Sequence, residues 1–256
     1  MTFPQPRPGD NSSYLHDHGQ TDGGIEAVVF DWGGTLTPWH DVDVAETWRC
    51  VARVVHADAP ALVEELAARL LAADEAIWSR SREGSSSARF ADVLAACQME
   101  ATAELLAAHC SPWEPHTLID PDVPETLAAL RERGIKVGLL SNTIWPRGQH
   151  EEWLERDGVL HLFDGAVFSS EIAWMKPHPE AFRAAMAAVG VGDPSRAVFV
   201  GDRPYDDIHG AKSAGMRAVL VPHSRIPEHE RGPVEGEADA VVTRLSDLVP
   251  LIDAWR

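Results

Sequence analysis

The sequence predicts an α/β protein: a Rossmann-like, mostly parallel sheet with helices on both faces, plus an inserted α-helical cap domain. Three observations predict it. Short apolar, β-branched runs alternate with helix-period segments through the second half of the chain, the pattern of crossover units. The first such run is followed by a long segment, residues 39–116, with helical periodicity and no strand-like run. Acidic, hydroxyl and amide residues stand at the ends of the apolar runs, where an open parallel sheet collects its ligands.

In chain order, residues 1–24 mix Pro, Gly, Asp, Asn and Ser with scattered His and lack the apolar run of a signal peptide. They read as a disordered tail, in which His16 and His18 have no specific role. The run IEAVVF from Ile25 is a buried strand that ends at Asp31 and turns through Gly33 and Gly34. Within 39–116, apolar residues recur at helical spacing through Val44, Trp48, Val51 and Val55, then through Leu62, Leu66, Leu70 and Ile77. Gly84 to Ser87 interrupts the pattern, and 88–97 and 102–109 form two shorter helices. Pro112, Pro115, Pro121 and Pro124 mark the return to alternation. Strands then start at Ile135, Ala166, Ala197, Arg217 and Ala238, between helices over 121–133, 149–157, 177–189, 207–214 and 245–255. The α/β core domain is therefore 25–38 and 117–256.

Composition narrows the function. Against 22 basic side chains stand 40 acidic ones, a formal net charge of −18, and such a field repels nucleic-acid phosphates and anionic headgroups. No nucleic-acid or membrane partner is expected, because even the apolar stretch 59–76 is broken by Glu64, Glu65, Arg69 and Asp74. Three well-separated cysteines, Cys50, Cys97 and Cys110, offer neither a disulfide framework nor a zinc motif, which fits a reducing, cytoplasmic location. Nothing in the sequence specifies an oligomeric state. Of nine tryptophans, Trp48 and Trp78 fall on the buried stripe of the helical segment. Trp32, Trp39, Trp145 and Trp174 flank the strand ends and are candidates for the walls of a substrate entrance.

The strand ends carry Asp31, then Ser141 and Asn142, then Lys176 after the third strand, then Asp202 with Asp206 and Asp207 close behind. Gathered at one sheet edge, the carboxylates repel each other unless a cation joins them, and an all-oxygen site of this kind suits Mg2+. The simpler readings are that Asp31 is a turn residue, that Ser141, Asn142 and Thr143 cap a following helix, and that the Asp206–Asp207 pair marks a helix N-terminus.

Taken together, these motifs resemble those of the haloacid dehalogenase-like hydrolase superfamily, in the branch with a helical C1-type cap. The first motif is matched, in variant form, by Asp31-Trp32-Gly33-Gly34-Thr35, the second by Ser141, the third by Lys176 in MKPHPEAF, and the fourth by GDRPYDDIHGAKSAG from Gly201. The resemblance implies a Mg2+-dependent phosphohydrolase that transfers the phosphoryl group of a small phosphorylated metabolite to Asp31 before hydrolysis. Ser141 and Lys176 would assist catalysis, and Gly34, Thr35, Ser141, Asn142 and Lys176 would bind the substrate. The metal would be held by Asp31, the Gly33 carbonyl, Asp202 and Asp207, with Asp206 as the alternative to Asp207. One position departs from the pattern: Gly33 stands where the family's phosphatases usually carry the acid/base Asp. His40, Asp41 and Asp43 are the nearby candidates to replace it. Arg80, Arg82 and Arg89 are candidates to meet a substrate anion from the cap. The alternatives are carbon–halogen hydrolysis by Asp31 without metal, and a weak or inactive member that binds a phosphorylated ligand or a partner protein.

Overall fold

The computed structural model describes residues 24–38, 41–222 and 237–256. The expectations for residues 1–23, Trp39 and His40 lie outside the described residues. Among the described residues six strands form one sheet: β1 Ala27–Phe30, β2 Lys136–Ser141, β3 Gly165–Phe168, β4 Ala197–Gly201, β5 Arg217–Leu220 and β6 Ala240–Val241. Their order is β3-β2-β1-β4-β5-β6, and every neighbouring pair is parallel. The fold class is the one the sequence predicts.

Because both faces of a parallel sheet are covered, its inner strands are apolar on both sides. Val28 and Phe30 face one buried cluster, with Leu127 and Leu130 of α5 (Val123–Glu132), Leu154 of α6 (Arg147–Arg156) and Ile252 of α9 (Leu248–Ala254). Ala27 and Val29 face a second cluster, with Phe182 and Met186 of α7 (Pro179–Ala188) and Ala211 of α8 (Gly210–Ser213).

Among the described residues, four helices run between β1 and α5: α1 Val44–Val55, α2 Pro60–Gly84, α3 Phe90–Ala96 and α4 Ala103–Cys110. Asp43 starts α1, its carboxylate accepting from the Glu46 N–H at 3.1 Å. Helix α2 runs seven residues beyond Ile77, because its buried stripe continues through Ser81; it ends where Ser85 turns left-handed at φ 47°. No helix among the described residues is long and apolar enough to cross a membrane.

The tryptophan expectations need a correction. Trp32 and Trp145 do not line an entrance; both are buried in the same apolar cluster as the helical insertion. Trp48 stacks on Phe90, His109 lies against Trp48, and Trp145 Nε1 donates to His109 Nδ1 at 3.1 Å. Trp32 stacks on Trp153 at 5.4 Å between ring centroids. Burial holds His109 neutral, with its pKa pushed down to about 3, so Nδ1 is free to accept that bond. The rings thus join the insertion to the sheet. Trp174 is exposed and stacks on His178.

Candidate active site

Adjacent parallel strands bring their carboxyl ends to one edge. In the register that pairs Phe30 with Leu139 and with Val200, Asp31 after β1 lies between Ser141 at the end of β2 and Asp202 after β4. The Asp31 N–H donates to the Val200 carbonyl at 2.9 Å, so the backbone holds this residue even though the strand has ended. The chain then folds tightly: Gly34 takes φ 86°, and the N–H groups of Leu36 and Thr37 both reach the Trp32 carbonyl.

Lys176, 2% exposed, places its ammonium 2.5 Å from Asp31 Oδ1 and 2.7 Å from Asp207 Oδ1. Burial opposes the lysine charge, but the carboxylates of Asp207 and Asp31 outweigh it and raise its pKa, so the amine stays protonated. Asp31 is itself raised, chiefly by burial, with Lys176 pulling the other way. Thr35 Oγ1 donates to Asp31 Oδ2 at 3.4 Å.

Asp207 sits in a π-helical turn, Pro204–His209, where the Ile208 N–H reaches back five residues to the Arg203 carbonyl. The sequence reads this stretch as the start of an ordinary helix; the wider turn leaves Asp207 fully buried and Asp206 half-buried. Its second oxygen accepts from the Arg203 N–H at 2.9 Å. Gly201 makes the approach feasible, because a Cβ there would collide with the Asp207 carboxylate.

The two carboxylate oxygens of Asp202 are buried and have no hydrogen-bond partner among the described residues. Ligand atoms of Asp31, Asp202 and Asp207 lie within 4.8 Å of one another. Burial first, and then Asp31 and Asp207, push the Asp202 pKa well above the usual carboxylate range. An orphaned buried carboxylate is costly, and three facing one point are complementary to a hard divalent cation. The donor set therefore fits the metal the sequence implies.

A family model described as haloacid dehalogenase-like hydrolase matches residues 25–215, a span that contains all four strand-end positions. The chain belongs to the haloacid dehalogenase-like hydrolase family. Among its relatives, the glyceraldehyde 3-phosphate phosphatase of Methanothermobacter thermautotrophicus is 39% identical over 134 residues, 52% of this chain and 58% of that protein. The phosphoserine phosphatase of Thermus thermophilus is 41% identical over 108 residues, 42% of each chain. The chain thus spans about half the length of the curated relatives it matches. Two solved structures share the fold: a HAD phosphatase from Thermococcus onnurineus (TM-score 0.63, 24% identity, 89% of this chain and 98% of that one) and a 2-haloacid dehalogenase from Pseudomonas syringae (TM-score 0.61, 25% identity, 91% and 100%). Both chemistries occur on this fold, so the choice between them rests on the side chains.

Within this haloacid dehalogenase-like frame, one expected substrate contact has another partner. Asn142 Oδ1 accepts from the Lys176 N–H at 2.8 Å and its Nδ2 donates to the Lys176 carbonyl at 2.9 Å, so the amide is turned to the lysine backbone. Thr143 does not cap α6 either; its hydroxyl accepts from the Trp145 N–H. Asp41 and Asp43 are exposed, and Asp43 is the cap of α1. Arg80 and Arg82 are exposed, while Arg89 donates to the Ser170 carbonyl at 3.0 Å. Gly33 pairs with Thr37 in a short bridge, and a Cβ built on it meets nothing within 4 Å.

Sequence reasoning missed the contact between the insertion and the lysine loop. Ser86 and Trp174 form an antiparallel bridge, the Met175 N–H donates to the Ser85 carbonyl at 2.9 Å, and the Ser87 N–H donates to the Ala173 carbonyl at 3.2 Å. A Gly-Ser-Ser-Ser run carries no signal for such pairing beyond its break in helical periodicity.

Proposed function

We propose that this protein is a Mg2+-dependent phosphohydrolase acting on a small phosphorylated metabolite through an aspartyl-phosphate on Asp31. The observation that carries the reading is the orphaned Asp202 carboxylate beside Asp31 and Asp207. Displacement of halide from carbon by Asp31 needs no cation, whereas Lys176 pairs with Asp31 and Asp207 and leaves the buried Asp202 carboxylate to be offset by a further cation. The names of the phosphatase relatives point the same way.

In this reading Asp31 attacks phosphorus, the bond from phosphorus to the leaving oxygen breaks, and that oxygen departs with the electron pair. The Lys176 ammonium, the Ser141 hydroxyl and the Gly34 amide hold the phosphoryl oxygens, with Thr35 beside them, its N–H turned to the Trp32 carbonyl. Asp31, the Gly33 carbonyl and Asp202 would hold Mg2+, with Asp207 supporting, and bound Mg2+ supplies positive charge that offsets the repulsion between nucleophile and phosphoryl oxygens. Residues 39–116 serve as a cap over a core formed by 25–38 and 117–256, and regulate access. Gly33 provides no carboxyl to protonate the leaving oxygen or to activate water. Loss of such a group costs about 10²- to 10⁴-fold, so acyl and aryl phosphates are favoured over alkyl esters.

A screen against phosphorylated metabolites, with and without Mg2+, tests the reading. Turnover that requires Mg2+ and disappears in Asp31→Asn supports it. Halide release from 2-haloacids with no metal requirement replaces it with the dehalogenase alternative.

A further inference from the structure

The Lys176 peptide lies in a loop, after β3 ends at Phe168 and before α7 begins at Pro179, yet the residue is buried. Buried backbone groups outside helices and sheets must find partners of another kind. For Lys176 that partner is the side chain of Asn142, which accepts from its N–H at 2.8 Å and donates to its carbonyl at 2.9 Å. The last backbone pairing of β2 with β3 matches Ser141 with Phe168, so Asn142 stands one residue beyond it. Its amide acts as a surrogate strand neighbour, extending the hold of β2 to a residue the sheet no longer reaches.

We infer that Asn142 is the positioning residue for Lys176: its amide fixes the backbone from which the ammonium reaches Asp31 and Asp207, and it does not hold substrate. The inference rests on the phosphohydrolase reading for its kinetic consequence, but not for its geometry. The ammonium contacts its two carboxylates at 2.5 and 2.7 Å, distances that leave no slack. The side chain is long and flexible, so its aim depends on where its backbone is anchored. A displacement of about 1 Å in a catalytic group costs up to roughly 100-fold in rate. An amide engaged at both its oxygen and its nitrogen is also poorly placed to reorient toward a substrate.

The test uses the full chain with Mg2+ and para-nitrophenyl phosphate, comparing wild type with Asn142→Ala and Asn142→Asp. The aspartate variant keeps the acceptor for the Lys176 N–H but loses the donor, and is close enough in shape to fold if the alanine variant does not. We expect kcat to fall about 10- to 100-fold with KM within about threefold. Acetylation of lysines, followed by mass spectrometry, gives a readout independent of turnover. Lys176 should label at least about tenfold faster in the variants as its ammonium loses its fixed partners, while the exposed Lys136 and Lys212 label as in wild type. A raised KM with unchanged kcat would assign Asn142 to substrate and overturn the inference, as would Lys176 labelling that stays at the wild-type rate. Absence of Mg2+-dependent turnover in wild type would defeat the phosphohydrolase reading alone, and the labelling would still decide the positioning.

Discussion

Asp207 has both carboxylate oxygens engaged by protein donors, Lys176 Nζ and the Arg203 N–H, whereas Asp202 beside it has neither engaged. The asymmetry divides their roles. Asp202 is the carboxylate with free ligand atoms, and Asp207 anchors the lysine from behind.

Replacing Asp202 by Asn should therefore separate metal binding from folding. Without metal, Asp202→Asn removes a buried carboxyl that has no hydrogen-bond partner among the described residues and should melt at or above the wild-type temperature. Mg2+ at about a hundred times its Kd stabilises a protein by about 2.7 kcal/mol, and this increment should vanish in the variant. Asp207→Asn should instead lower the metal-free melting temperature, because it strips Lys176 of a buried partner. Thermal scans of the three proteins with and without Mg2+ decide the matter.

Gly33→Asp should add the missing acid without strain, since a Cβ there meets open space and the backbone is not in the left-handed region. Turnover of alkyl phosphates should rise by about tenfold or more, and that of aryl phosphates by less. Equal gains on both classes, or none, would show that another group already supplies the proton.

Asp74 reports on the helical insertion through pH. It is buried on α2, and burial pushes its pKa up to about 6 from the ordinary 3.8. The folded protein therefore binds this proton more tightly than the unfolded chain, so stability declines as pH rises from about 4 to 6 and the full cost persists above. Asp74→Asn should stabilise by about 1–3 kcal/mol at pH 7.5 and much less at pH 4. A melting-temperature difference that does not change with pH would contradict the assignment.

The sheet and the strand-end residues were legible because period and position carry them: an apolar run reads as a strand wherever it sits, and its last residue then points to the sheet edge. Asp31, Ser141 and Asp202 stand out in that way, whereas Lys176 and Asp207 lie several residues beyond their strands and are singled out by the motifs of the family the sequence resembles. What the sequence withheld depends on contacts between distant segments. Nothing local distinguishes an asparagine that binds substrate from one that holds the backbone of Lys176, 34 residues away. Trp32 and Trp145 stand beside motifs, and only the packing of the insertion against the sheet shows them to be core. The π-helical turn at Pro204–His209 is likewise invisible to helical periodicity, because a single wide turn lies within the scatter of any helix start.

The central claim is that Asp31 carries the phosphoryl group. Rapid mixing with para-nitrophenyl phosphate and Mg2+, acid quenching and peptide mass spectrometry test it directly. With no carboxyl at position 33 to activate water, the intermediate should outlast the first turnover, giving a burst of nitrophenol and a phosphorylated peptide containing Asp31. Both signals should be absent without Mg2+ and in Asp31→Asn. A wild type that turns over with no phosphopeptide at Asp31, or an Asp31→Asn protein that turns over as fast, would contradict the account.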